Sequence, residues 1–160
     1  MVTIVGIGNR LRGDDAVGLL VVKILAERLP AGTSTFGLDG DQLQLLELMT
    51  KADTMVIVDA VQSSAKPGAI FRIDASTDPV PRHFRVFTTH SFDSIQTIEL
   101  ARAMGLLPKK MIIYGIAGKD FSYTETMSCE VEESIAIVGN KILREIEKIN
   151  ESQRSEIKAT

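Results

Sequence analysis

"VTIVGIGNRLRGDDAVG", residues 2 to 18, is the stretch on which the reading of the whole chain turns. Val2 to Ile7 is a short β-branched run, and beyond it Val17, Leu20, Val21, Ile24 and Leu25 recur at helical spacing. A strand therefore passes through a glycine-containing loop into a helix expected over residues 15–29. The glycines suggest a phosphate cradle, whereas the aspartates suggest a cation. A dinucleotide-binding turn needs glycine at its first, third and sixth positions; counted from Gly6, the sixth is Leu11. The other phosphate pattern, Gly-x4-Gly-Lys-Ser/Thr, is half met by Gly8 and Gly13, but Asp14 and Asp15 stand where the lysine and hydroxyl belong. Two carboxylates repel a phosphate and can hold a cation. For Asp14 alone, helix capping worth about 1 kcal/mol is the better reading.

The same strand-then-helix rhythm continues. Ser34 to Leu38 suits a second strand and Gln42 to Met49 a second helix. Thr54 to Val58 is a continuous apolar run ended by Asp59, as a central parallel strand covered on both faces requires. Lys66-Pro67-Gly68 marks a turn into Ala69 to Ile73, whose alternation suits an antiparallel edge strand. Residues 74–85 read as loop, with Val86-Phe87 at the end of a strand. Ser91 is expected to cap a helix through Met104, and Lys110 to Ile116 is another buried strand. Ser128 is expected to cap a last helix ending near Ile149. The pattern predicts an α/β fold: one doubly wound, mostly parallel sheet of about five strands flanked by helices, with one antiparallel edge strand. Residues 1–150 form the domain and 151–160 a frayed polar tail.

Composition narrows the function. With 160 residues, 44% hydrophobic and 24% charged, the chain has the balance of one globular domain. A net charge of −3 and the lack of a dense Lys/Arg run argue against nucleic acid as partner. No stretch approaches the roughly eighteen apolar residues of a membrane span, and no secretory signal is recognisable. A cytoplasmic location and a monomeric state are expected. Cys129, the lone cysteine, agrees with a reducing compartment and is read as a small core residue. Arg10 and Arg12 are read as solvated.

In a doubly wound sheet, ligands bind beyond the carboxyl ends of the strands, where the winding reverses. Asp59 ends the most apolar strand and needs a partner if buried. His90, in Thr88-Thr89-His90-Ser91, sits before a predicted helix; His83 lies in the proline-containing loop and reads as solvated. Asp15, Asp59 and His90 thus each fall at a strand-to-helix passage. Two carboxylates and an imidazole suit Ni(II), Zn(II) or Fe(II), with water or substrate completing the sphere. Asp39-Gly40 follows the second strand; an Asp-Gly turn is the simpler reading, and the pair is placed to line the site. Two histidines and one cysteine exclude a structural zinc site of the Cys/His kind. No Ser/His/Asp or Cys/His arrangement supports a covalent nucleophile.

These residues resemble the NiFe-hydrogenase maturation endopeptidases. The resemblance is carried by Gly6-Ile7-Gly8-Asn9, Gly13-Asp14-Asp15-Ala16-Val17-Gly18, Asp39-Gly40, Val58-Asp59-Ala60 with Lys66-Pro67-Gly68, Thr89-His90, Gly115-Ile116 and Ser128-Cys129-Glu130-Val131. It implies an enzyme that removes a C-terminal extension from the nickel-loaded large-subunit precursor of a hydrogenase. The positions matching Asp15, Asp59 and His90 would contact a nickel ion that belongs to the precursor, and no tightly bound cofactor is expected. The chain departs from the family pattern in having Asp15 where some relatives carry Glu, and Cys129 where proline is frequent. The expected chemistry is metal-assisted hydrolysis with Asp15 or Asp59 as base.

A second class fits part of the pattern. A phosphoacceptor receiver domain would use Asp14-Asp15, Asp59 as the phosphorylated residue, Thr88 or Thr89, Lys119 and Mg²⁺. A free-standing zinc or manganese peptidase is a third reading.

Overall fold

The computed structural model describes residues 1–81 and 94–158. Strand β1 (Val2–Ile7) leads through a 3₁₀ turn (Gly13–Ala16) into helix α1 (Val17–Ala26). Then come β2 (Thr33–Leu38), α2 (Gln42–Lys51), β3 (Thr54–Val61), β4 (Ile70–Asp74), α3 (Ser94–Ala103), β5 (Lys110–Ala117) and α4 (Cys129–Lys158). Among the described residues, five strands form one sheet in the order β2-β1-β3-β5-β4. The contacts between β2, β1, β3 and β5 are parallel, and β4 pairs antiparallel with β5 at the edge. This is the predicted α/β class, including the edge strand. The expected N-cap Ser91, the strand end at Val86-Phe87, Thr88, Thr89, His83 and His90 lie outside the described residues.

Burial follows strand position. All of β1 and the first five residues of β3 are buried, whereas β2 and β4 are mostly half-exposed. Alternate residues of the central strands feed two cores. Ile4, Val56 and Ile112 pack with Val21 and Leu25 of α1 and Val138 and Ile142 of α4. Val5, Ile57 and Met111 pack with Leu45 and Met49 of α2 and Ile98 of α3. Each fully buried aliphatic side chain contributes about 1.5–3 kcal/mol, which is why the winding on both faces is the stable arrangement for these runs.

Three boundaries differ from the sequence reading. Helix α1 is shorter than residues 15–29: its start is drawn into the 3₁₀ turn, and Pro30 bars extension at the other end. Strand β3 continues through Asp59 to Val61, because pairing of Asp59, Ala60 and Val61 with Gly115, Ile116 and Ala117 holds the backbone extended past the carboxylate. It then turns into β4, so Asp59 does not lie at a strand-to-helix passage. Helix α4 reaches Lys158 instead of ending near Ile149. Apolar periodicity is lost there, but a nucleated helix propagates through good formers such as Glu, Gln, Arg and Lys.

The Lys66-Pro67-Gly68 segment is a tight turn in which the Ala69 N–H donates to the Lys66 carbonyl (3.0 Å). Gly68 has φ +80°, as the third residue of a type II turn requires, and a Cβ there would lie 2.2 Å from the Glu130 carbonyl of α4. At its other end β4 is pinned by ion pairs. Arg72 Nε and Nη2 each donate to Glu145 at 2.8 Å, and the Tyr114 hydroxyl donates to the same carboxylate at 3.2 Å. The hydrogen bond from Arg72 holds Glu145 below the usual carboxylate range. Burial pushes Asp74 up, but hydrogen bonds from Lys110 and Ser76 outweigh it and bring it down to about 2.

Gly18 fixes the spacing of α1 from the sheet: a Cβ there would stand 2.4 Å from the carbonyls of both Ile7 and Val58. Gly37, on β2, would meet only the Leu19 side chain at 3.2 Å. Gly18→Ala is expected to lose about 2 kcal/mol or more in urea unfolding, since backbone must move, whereas Gly37→Ala changes stability by less than about 1 kcal/mol. The carboxylates have depressed folded values, so their stabilisation is present above the unfolded pKa of about 4 and is lost as pH falls through the folded values. Urea midpoints should therefore drop between about pH 4 and 2, and Glu145→Gln should flatten that slope.

Candidate active site

Strand β1 lies between β2 and β3, and the connections after β1 and β2 leave it in opposite directions along the sheet. The carboxyl ends of β1 and β3 therefore border the crevice where the winding reverses, the position expected of a ligand site. Both sequence-predicted aspartates are there. Asp15 is half-buried in the 3₁₀ turn that follows β1, and its Oδ2 accepts from the Asn9 N–H at 3.0 Å. Asp59 is half-buried one residue beyond the Gly6–Val58 pair of the β1–β3 ladder, and its Oδ2 accepts from the Ser94 hydroxyl of α3 at 2.8 Å. The two carboxylates thus come from separate segments of sequence, Asp15 from the turn after β1 and Asp59 from β3, the strand next to β1.

The loop that carries Asp15 is closed on itself. Asn9 Oδ1 accepts from the Leu11 N–H (2.8 Å), the Asn9 carbonyl accepts from the Arg12 N–H (3.2 Å), and the Arg12 carbonyl accepts from the Asp15 N–H (3.1 Å). Gly8 allows the chain to pass close by, since a Cβ there would fall 1.8 Å from the Asp15 carbonyl. The Gly8 N–H donates to Leu38 at the end of β2 (3.1 Å). Asp39 and Gly40 follow directly, exposed on the same rim, and Asp41 rather than Asp39 caps α2 by accepting from the Gln44 N–H at 2.8 Å. Among the described residues no three His, Cys, Asp or Glu side chains converge on one point. The third expected ligand, His90, is outside that set.

Asp14 is not a helix cap. It is completely buried, and its side chain points away from α1 into the loop between β5 and α4. Oδ2 accepts from the backbone N–H groups of Lys119 (2.7 Å) and Asp120 (2.9 Å) and from the Ser128 hydroxyl (2.9 Å). Oδ1 accepts from the Ser128 N–H (2.7 Å). The Ser128 hydroxyl expected to cap α4 is therefore turned to Asp14. Arg12 is half-buried rather than solvated: Nε and Nη2 both donate to the Phe121 carbonyl (3.2 and 3.0 Å), and the guanidinium stands 5.2 Å from the Tyr123 ring centre. Arg10 is exposed, as expected. Cys129 is exposed and not a core residue, because the inward face of α4 begins at Val131.

The phosphoacceptor reading fails on this geometry. The receiver order places every strand parallel with a helix after each, whereas here β4 follows β3 by a turn and runs antiparallel at the edge. Lys119 Nζ pairs with Glu130 at 3.2 Å, and half of the acidic pair is consumed by the loop. Sequence reasoning missed Asn9 and Ser94 as partners of the two aspartates. Asn9 stood in the quoted Gly-x-Gly-Asn motif; Ser94 carried no signal, being one hydroxyl on a helix.

Fold and crevice together define a doubly wound α/β domain whose switch point is acidic instead of phosphate-binding. The family model described as hydrogenase maturation protease matches residues 29–149. A hydrogenase expression/formation protein HupD of Thiocapsa roseopersicina is 29% identical over 119 residues, covering 72% of this chain and 53% of its own length. A Methanocaldococcus jannaschii protein, named for the hydrogenase maturation proteases, is 31% identical over 157 residues, covering 92% of this chain and 97% of its own. The chain thus spans about half of the first relative and nearly all of the second. A solved structure of the hydrogenase maturating endopeptidase HybD of E. coli matches with a TM-score of 0.77 at 22% identity, over 92% of both chains. The chain belongs to the hydrogenase maturation protease family.

Asp14→Ala leaves four donors without an acceptor, each costing about 1–3 kcal/mol where buried. A loss of about 3 kcal/mol or more in the unfolding free energy is expected, measured by urea titration.

Proposed function

We propose that this chain is an endopeptidase that removes a C-terminal extension from the nickel-loaded large-subunit precursor of a NiFe hydrogenase, acting as a monomer in the cytoplasm. Family membership supports the reaction class. The observation that carries the reading to these residues is the placement of Asp15, in the turn after β1, and Asp59, near the end of the neighbouring β3, both half-buried. No helix among the described residues is long and apolar enough to cross a membrane, which is compatible with a soluble client.

Nickel enters as part of the substrate. Asp15, Asp59 and His90 supply two oxygens and one imidazole nitrogen, an incomplete set that binds firmly only when the precursor brings the ion with its own ligands. Cleavage then depends on prior metal insertion. The ion polarises the scissile carbonyl or activates a water, and Asp15 or Asp59 takes the proton. Asp39 and Gly40, exposed on the same rim, line the path of the precursor chain.

The half-burial of Asp59 and its bond from Ser94 support this division of labour, because a carboxylate kept partly out of water and fixed in direction is a better ligand and base than one free in solvent. Purified precursor, with and without nickel, incubated with this chain and resolved by gel electrophoresis tests the proposal. Only the nickel-loaded form should be shortened, and Asp59→Asn should slow the shortening by about 100-fold or more. Equal cleavage of both forms, or full activity of the variant, would overturn the reading.

A further inference from the structure

The buried Asp14 carboxylate is not used by the proposed chemistry, yet it stands directly beside Asp15. We infer that Asp14 is the positioning residue of the site: it latches the β1–α1 loop to the β5–α4 loop and thereby fixes the direction of the Asp15 carboxylate. The kinetic part of this inference rests on the proposed peptidase reading; the structural part does not.

The latch follows from local geometry. In a 3₁₀ turn of three residues per turn, consecutive side chains project about 120° apart. Asp14 and Asp15, neighbours in the turn Gly13–Ala16, accordingly point to different partners. Asp14 reaches Lys119, Asp120 and Ser128, and Asp15 reaches the Asn9 N–H. The backbone reinforces the join. Gly13 N–H donates to the Thr124 carbonyl (2.7 Å), Asp14 N–H to the Asp120 carbonyl (2.9 Å) and Thr124 N–H to the Leu11 carbonyl (3.0 Å). The turn that carries Asp15 is held on its far side, so a displacement of its backbone that carries Asp15 away from the Asn9 N–H must break bonds to Asp14.

The chemistry of the side chain fits the task. An ionised carboxylate accepts only and offers about four lone-pair sites, which matches the four donors that Asp14 meets among the described residues. Asparagine offers two and turns its amide N–H groups toward the remaining donors. The sequence reading separates the two aspartates, with Asp15 as candidate ligand, but takes Asp14 for a helix cap instead of a cross-loop anchor. Their divergent projection gives each its own partners and assigns Asp14 to holding the loop.

The test uses the full chain with Asp14→Asn, and with Ser128→Ala in case the first variant does not fold; Ser128→Thr restores the hydroxyl. Amide hydrogen exchange by NMR, without substrate, should show the Asn9 N–H exchanging at least tenfold faster in the folded variant, together with the Lys119 and Asp120 amides, and returning to wild-type protection in Ser128→Thr. Faster exchange at Lys119 and Asp120 with Asn9 unchanged would overturn the inference, since the carboxylate would then hold only its own loop. With nickel-loaded precursor, kcat should fall tenfold or more while KM stays within twofold, and Ser128→Thr should recover it. A folded variant with wild-type kcat also overturns the inference. If the wild-type chain cleaves no precursor, the peptidase reading fails and the exchange result alone decides the latch.

Discussion

The crevice depends on one buried charge. Asp14 has no solvent contact, and a carboxylate in that position is stable only while hydrogen-bond donors replace its hydration. The donors come from Lys119, Asp120 and Ser128, more than a hundred residues further along the chain. Satisfying that charge therefore dictates that the loop after β5 and the start of α4 close over the loop after β1. Arg12, bonded to the Phe121 carbonyl and stacked near Tyr123, seals the outer side of the same junction.

Close backbone approach is the second constraint, and it works with the first. Gly18 lets α1 lie directly on the ends of β1 and β3, and Gly68 lets the β3–β4 turn lie on the first turn of α4. A Cβ at either place would meet backbone and force it to shift. The glycines of the opening motif are thus explained without phosphate. They bring helix and strand together.

Electrostatics elsewhere serve the sheet rather than the site. Arg72, Glu145 and Tyr114 join the antiparallel edge strand, a central strand and α4 across one face. Burial, with Glu145 alongside, pushes the Tyr114 hydroxyl up to about 12, so it remains a donor throughout the range in which the carboxylate is ionised. An edge strand with few buried side chains gains its attachment from such pairs.

Much of the architecture was legible in order. Continuous apolar runs marked β1, β3 and β5, because a strand covered on both faces cannot alternate; alternation marked β4 as an edge; and the turn chemistry of Lys66-Pro67-Gly68 marked its start. Asp15 and Asp59 were legible because each is a charge following such a run. What the sequence could not decide was anything that depends on distant backbone. Pairing with β5 carried β3 past Asp59, helix propagation carried α4 to Lys158, and the donors around Asp14 turned an apparent cap into a cross-loop anchor. Arg12 and Cys129 exchanged their expected environments for the same reason: burial is set by which segments meet, not by residue type. The sequence alone determined the periodicities and hence the class of fold. Tertiary structure alone decided that Asp14 holds the loop instead of capping α1, because hydrogen-bond direction exists only once the two loops are brought together.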